Sequence, residues 1–348
     1  MMNYLIYDQN GKKQALLQNV TSIQWKPRYW SSGSAEIHAR PTDENIKYLV
    51  EHNRIVCQER GEILFIDYVQ RTDQSSDGAD MIIHGSLDNL GDRINTSTIS
   101  ITNVEEGLRK LVTQNKRGLD ITLAPAKRLT AKVTRTKTTW QTLRSTFADF
   151  CQESGLGWRQ IVKDGQLNVL EIYQGKEAKN ARFSDDLGNI TSQEYIKDLS
   201  DYFNYIYVLG EENGGTRTQL VIDARAEGEA IIEKYVDARD LQSTYTGDDG
   251  NEHTYSSEEY TALLNARGQQ KYAEMLSQAY SFEFELNEQN RIAVLGRDYD
   301  LGDIVPVISK RFGVANLARL TGLNIVEEQN TNTKITLELS VEKMEVLK

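Results

Sequence analysis

Residues 281–339 constrain the fold of this chain more tightly than any other stretch. Phe282-Glu283-Phe284-Glu285-Leu286 alternates apolar and charged residues with period two, the pattern of a half-buried strand. Ile304-Val305 opens a second short apolar run, and residues 320–326 and 335–341 continue the alternation. Gly302-Asp303, Arg311-Phe312-Gly313 and Asn330-Thr331-Asn332 supply turns between them. Four strands within this span, with no helix between them, predict an antiparallel meander or a small barrel.

At the centre of this stretch lies Arg297-Asp298-Tyr299-Asp300-Leu301-Gly302-Asp303-Ile304-Val305. Asp298, Asp300 and Asp303 beside a glycine resemble the first half of a calcium-binding EF-hand loop. The bidentate glutamate that closes such a loop is missing at the required distance, and no helix flanks it. The other reading is a tight turn. Gly302 then provides a left-handed backbone and the Asp side chains bond nearby amides.

The chain has 348 residues, enough for two or three domains with a sizeable core. Seventeen tyrosines against eight phenylalanines favour sheets whose second face meets solvent or a partner subunit. A net charge of −11 leaves no basic surplus for neutralising phosphates, which argues against binding nucleic acid through its backbone. Such a surface would instead let DNA slide past without adhering. Cys57 lies in an apolar strand pattern and Cys151 on an apolar helix face, so both read as buried free thiols of a protein made in a reducing cytoplasm. No signal peptide or transmembrane run is apparent, and the sequence gives no reason to expect secretion or a membrane segment.

Residues 1–102 read as β-rich. Tyr4-Leu5-Ile6-Tyr7 and Ala15-Leu16-Leu17 flank an Asn10-Gly11 hairpin turn, and one helix is predicted over residues 42–52. Residues 72–80 read as a polar loop. The character changes over residues 103–190. Asn103 followed by Glu106 resembles a capping box opening a helix, and a second helix is predicted from Thr138 or Thr139. In that helix Trp140, Leu143, Phe147, Phe150 and Cys151 form an apolar stripe, with Gly155 as the C-terminal cap. A hairpin follows, turning at Lys163-Asp164-Gly165-Gln166. From residue 191 strands return. Residues 231–236 are predicted as a strand, with glutamates and alanines upstream leaving a helix as the alternative, 247–253 as a mobile polar loop, and Ser256-Ser257 as the start of the longest helix. The predicted fold class is α+β and β-rich: two antiparallel β-barrel-like domains with an inserted α+β module. The domain boundaries are 1–102, 103–190 and 191–348, and the first domain need not be contiguous in space.

Chemical motifs are sparse. His38, His52, His84 and His253 lie apart from one another and from the cysteines, so no zinc-site spacing exists. No P-loop, dinucleotide fingerprint or nucleophile elbow occurs. Asp185-Asp186, Asp248-Asp249 and Glu258-Glu259 could supply a glycosidase pair. Fifty-one acidic residues make adjacent pairs common, however, and neighbours in a helix or strand point in different directions. Neither a catalytic centre nor a cofactor is expected.

Several stretches together resemble the siphophage and prophage tail-hub family, the tail-tip baseplate hubs that include the N-terminal regions of tail-associated lysins. They are Trp25 with Gly33-Ser34-Ala35-Glu36, then Ile82-Ile83-His84-Gly85-Ser86-Leu87 through Arg93-Ile94. Tyr235-Val236-Asp237-Ala238-Arg239-Asp240-Leu241 and Asp298-Tyr299-Asp300-Leu301-Gly302-Asp303-Ile304-Val305 complete the set. Gly85, Asp237, Arg239, Asp240, Tyr299, Leu301, Gly302 and Asp303 are the positions on which the likeness rests. The resemblance implies a non-enzymatic structural protein of the virion tail tip, made in the bacterial host cytoplasm. It implies a homotrimeric ring capping the tail tube and a channel for DNA ejection through which DNA passes without specific binding. Its implied partners are copies of itself, a distal tail protein hexamer, the tape-measure protein and a host-surface adhesin or receptor-binding protein. Two other functions remain open at this stage: a carbohydrate- or wall-binding module using exposed Tyr and Trp, and a cell-wall glycan hydrolase. The ending at Lys348 leaves no room for the lytic extension of longer relatives, so that activity is not expected.

Overall fold

The computed structural model describes residues 2–75, 78–96, 99–133, 137–138, 140–246, 251–287, 290 and 292–346. Period-two alternation sets the strand faces. In Tyr280–Leu286, Phe282, Phe284 and Leu286 are buried while Glu283 is exposed. In Ser34–Ala39, Ala35, Ile37 and Ala39 point inward. A bulge between Val20 and Ser22 shifts the phase of Val20–Lys26 so that Val20, Ile23 and Trp25 are all buried.

The strands of the first and last β regions form one large sheet. Its order is Ile190–Lys197, Tyr280–Leu286, Lys334–Val346, Val314–Glu328, Val20–Lys26, Ser34–Ala39, Gly78–Ser86, Ile63–Ser75, Arg54–Cys57, Tyr4–Tyr7 and Lys13–Leu16. Every neighbouring pair along this path is antiparallel. The two regions meet where Ile325 faces Trp25 and Val326 faces Gln24. Ile304–Ser309 pairs with Val314–Glu328 beside this path, completing the predicted meander. One hydrophobic cluster runs beneath both regions and includes Ile6, Ile23, Trp25, Ile37, Phe183, Phe282, Phe284, Leu320 and Leu337. Each such side chain contributes roughly 1.5–3 kcal/mol on burial.

Four helices accompany the strands among the described residues. α1 (Asp43–Tyr48) is capped by Thr42 and is shorter than the sequence predicts. α2 (Val104–Asn115) is capped by Asn103, whose side chain accepts a hydrogen bond from the Glu106 N–H. α3 (Leu143–Ser154) is capped by Thr142 and ends at Gly155 in a left-handed conformation. α4 (Ser257–Ala279) starts with a full capping box between Ser256 and Glu259. α2, α3 and the hairpin Gly157–Lys163/Gln166–Tyr173 enclose a second cluster, including Leu108, Leu111, Phe147, Phe150 and Trp158. α4 covers one face of the small sheet Thr216–Asp223, Tyr205–Asn213 and Glu233–Asp237, making a third cluster with Ile206, Val208, Ile222 and Leu264.

Three further expectations change. The predicted loop over residues 72–80 is largely strand, because Ile63–Ser75 and Gly78–Ser86 pair as far as Ser75 and Gly78. Cross-strand backbone bonding there outweighs the turn-forming composition. The third helix begins after Trp140, which has a positive φ of 54° and is 73% exposed. Thr142 supplies the N-cap instead of Thr138 or Thr139, so Trp140 falls outside the buried stripe. Within 247–253, Glu252–Thr254 pairs as a strand with Thr244–Thr246, while 247–250 lie outside the described residues.

Cys57 and Cys151 are free and buried. Burial pushes the Cys57 thiol up to about 12, and it raises Cys151 as well. The folded protein is therefore expected to react with a thiol-specific chromogenic reagent only on the unfolding timescale, with both thiols appearing at once in denaturant. Prompt labelling of either cysteine under native conditions would contradict this packing.

Candidate functional site at the junction of the clusters

The first and second clusters meet at Tyr29, which is fully buried. Pro27 removes one ladder donor just after Val20–Lys26, and the chain turns inward. The Tyr29 amide still donates to the Thr321 carbonyl at 2.9 Å, tying it to the meander. Its hydroxyl donates to the Gly155 carbonyl at 3.0 Å and accepts from the Gly175 N–H at 2.9 Å. One phenol thereby joins the entrance and the exit of the insert's hairpin.

Two glycines make room for the ring. A Cβ on Gly157 would lie 2.0 Å from Tyr29, and one on Gly302 2.2 Å from it. Gly302 also has a φ of 94°, which a side chain would disfavour independently. Beside them, a Cβ on Gly175 would lie 1.8 Å from the Gly302 carbonyl oxygen. Tyr173 packs edge-on against Tyr29 at 5.3 Å, and the Arg319 guanidinium stands 5.7 Å above its ring.

An ion network runs alongside. Glu171 is buried and takes Arg159 at 2.9 Å, Lys127 at 3.1 Å and Lys163 at 3.1 Å. Arg159 also reaches Asp300 at 3.1 Å, which links the insert to the turn. Burial alone would raise the Glu171 carboxyl, but Arg159 and hydrogen bonds from the two lysines outweigh it and bring it to about 2.

The three aspartates of the turn are all occupied by donors. Asp298 accepts from the Val294 N–H and the Arg297 guanidinium, which lower its carboxyl. Asp300 accepts from Leu301 N–H and Arg159. Asp303 accepts from the Lys176 N–H at 2.8 Å and the Asp300 N–H at 3.0 Å. With Gly302 left-handed, this is the geometry of a self-bonded turn, and no group of three or more potential ligands is arranged for a metal among the described residues. Tyr299 and Leu301 are buried, Tyr299 packing edge-on to Phe183 at 5.1 Å.

The remaining sequence-chosen positions lie elsewhere. Gly85 sits near the end of Gly78–Ser86, where a Cβ would meet the Phe65 carbonyl at 2.2 Å. Asp237 accepts from Arg239 and Arg217, which hold its carboxyl well below the usual range. Asp240 forms a two-pronged pair with buried Arg267, at 2.9 and 2.8 Å, fastening the chain after Glu233–Asp237 to α4. His38 and His84, far apart in sequence, both reach Glu36 on one sheet face. Burial lowers His38, but bonds to Asp80 and Glu36 leave it raised on balance.

Among the described residues, the acidic pairs serve turns, an ion pair and a helix cap. Asp185 accepts from the Lys310 and Arg311 amides, Asp186 pairs with Lys310, and Glu259 closes the α4 capping box. Asp248 and Asp249 lie outside the described residues. Nothing in the sequence singled out Tyr29, Gly175 or Glu171. The available signal was the recurrence of glycines after the helix and hairpin, which reads equally well as ordinary turn chemistry.

This fold is that of phage and prophage tail proteins. The tail protein from Neisseria meningitidis MC58 is 14% identical with a TM-score of 0.64, covering 97% of both chains. The prophage MuSo2 43 kDa tail protein from Shewanella oneidensis is 11% identical with a TM-score of 0.66, over 97% of this chain and 98% of that one. Prophage tail protein gp18 from Listeria monocytogenes EGD-e is 13% identical with a TM-score of 0.58, over 98% and 95%. No curated protein sequence matches. Residues 100–339 match the family model described as Siphovirus ReqiPepy6 Gp37-like protein, and the chain belongs to that family.

Gly302→Ala is expected to destabilise the protein by roughly 3 kcal/mol through overpacking and backbone strain. Tyr29→Phe is expected to cost about 1–3 kcal/mol by leaving the Gly155 carbonyl and Gly175 N–H without their partner. Urea unfolding measures both. Because the Glu171 pKa is depressed on folding, its contribution is present above the ordinary glutamate value of 4.5 and is lost as pH falls toward about 2. Thermal scans against pH should show that loss in the native protein and a flatter profile in Glu171→Gln.

Proposed function

We propose that the protein is the structural hub of a phage or prophage tail tip, three copies forming a ring that caps the tail tube. The observation that carries this reading is the single large sheet that joins the first and last β regions, within a fold held over nearly the whole chain by tail proteins. Each copy then brings two β lobes to a ring of three, giving the pseudo-sixfold arrangement that a hexameric distal tail protein requires. Among the described residues, the end strands Ile190–Lys197 and Lys13–Leu16 each have one unpaired edge along the path, available for packing against a neighbour.

The mechanism is mechanical. The junction around Tyr29 keeps the insert at a fixed angle to the sheet while the channel passes the tape-measure protein and then DNA. The net charge of −11 keeps the phosphate backbone from adhering during ejection. A host-surface adhesin or receptor-binding protein docks below. The side chains described perform no bond-making chemistry in this scheme.

Size-exclusion chromatography with light scattering should give three times the chain mass for the protein alone, or three copies of it per complex when the distal tail protein is bound. A strictly monomeric protein even with that partner present would overturn the proposal.

A further inference from the structure

The insert differs in charge from the rest of the chain. Residues 103–190 hold fifteen Lys and Arg against ten Asp and Glu, although the whole chain has 40 against 51. Part of that surplus borders an unusual surface feature. The backbone around Ile94 and Asn95 pairs with residues 140–142: Trp140 N–H donates to the Asn95 carbonyl at 2.7 Å, and Ile94 bridges Thr142. Both apolar side chains of this small ladder, Ile94 and Trp140, are exposed, Trp140 by 73%. Trp140 has a φ of 54° and nearby Arg117 one of 30°, so two non-glycine residues hold left-handed backbones in one patch.

The cations beside this patch lack counter-charges. Arg93 donates to the Lys116 and Arg117 carbonyls, Arg117 donates to the Ile94 carbonyl, and Lys116 donates to the Ile121 carbonyl. Carbonyls fix these groups in place without neutralising them. No ion pair forms between Arg93, Lys116 or Arg117 and a carboxylate among the described residues, the adjacent Asp92 included. A pre-positioned set of cations around an exposed tryptophan has the composition of an interface anchor.

A face of opposite character lies on the same chain. On the outer side of the large sheet's end, Glu194 stands opposite Glu283, and Glu283 opposite Glu338. Like charges directly across strands repel. Arg28 pairs with Glu338 at 2.9 Å, while Glu194 and Glu283 form no ion pair among the described residues. Burial first, then Glu338 and Glu194, push the Glu283 carboxyl up, with Arg28 opposing.

We infer that the Trp140 patch docks on a second copy of this chain, its Arg93, Lys116 and Arg117 meeting the glutamate row Glu194, Glu283 and Glu338 of that copy. Because the two patches differ, the contact is head-to-tail, the kind that closes into a ring. The inference rests on the hub reading and assigns residues to its interface. Charge complementarity carries it: the insert is locally cationic, and the sheet face that would receive it carries three glutamates to one arginine, with Glu194 and Glu283 in no ion pair among the described residues.

Sedimentation velocity at two salt concentrations tests it. Arg117→Glu, Trp140→Ala and Glu283→Lys should each weaken self-association at least about tenfold, with less salt dependence in the two charge variants. The double variant Arg117→Glu with Glu283→Lys should recover most of the loss. Glu283→Lys is a safe probe of folding because it removes like-charge repulsion at an exposed site, and thermal unfolding of every variant verifies the fold. Self-association unchanged in the single variants, or no recovery in the double one, overturns the inference while leaving the ring intact. Loss of binding to short single-stranded DNA in Arg117→Glu, with self-association unchanged, overturns it in favour of a phosphate partner. A native protein that never self-associates, with or without its tail partner, removes the hub reading itself.

Discussion

A single phenol determines how the parts of this protein sit relative to one another. Tyr29 lies where the meander, the first β region and the insert come together, and its hydroxyl satisfies one backbone group on each side of the insert's hairpin. Its ring fits only because positions 157 and 302 lack a Cβ. Close packing transmits displacement, so a change in either glycine would have to move the whole insert. The Arg159 network adds a second tether between the same bodies, which resists rotation about the tyrosine.

Such a junction suits a part that works by shape. Conserving an angle between modules needs buried, directional contacts, whereas association with other chains needs accessible ones. The molecule separates the two. Its buried polar groups, Asp303, Glu171 and Arg267, are spent on internal fastening, and its unpaired charges and large exposed side chains lie on outer faces. Among the described residues, Asp185 is bonded to a turn and Glu259 to a helix cap.

Much of this was legible in the sequence. Alternation in Phe282-Glu283-Phe284-Glu285-Leu286 gave the closing strands, Asn103 and Ser256 gave helix starts, and Gly155 gave a helix end, because these signals act over a few residues. The tail-protein likeness was legible too, from the order of loose motifs along the chain. What was hidden depends on distant partners. Pairing of Val326 with Gln24 cannot be read from either strand, and the reason for Gly157 is a tyrosine far earlier in the chain. Trp140 was misplaced because an apolar residue at helical spacing looks buried until the capping residue is known to follow it.

The seam between Val20–Lys26 and Val314–Glu328 has a consequence for how the molecule comes into being. Contacts across it, such as Arg28 to the Leu323 carbonyl, span 295 positions of chain. Closing so long a loop is entropically slow, and topologies dominated by remote pairing fold late. During synthesis the early strands must wait with one edge bare until the far partner emerges from the ribosome. Maturation of the chain is thereby timed by translation, and the large sheet stays open until that last stitch is made.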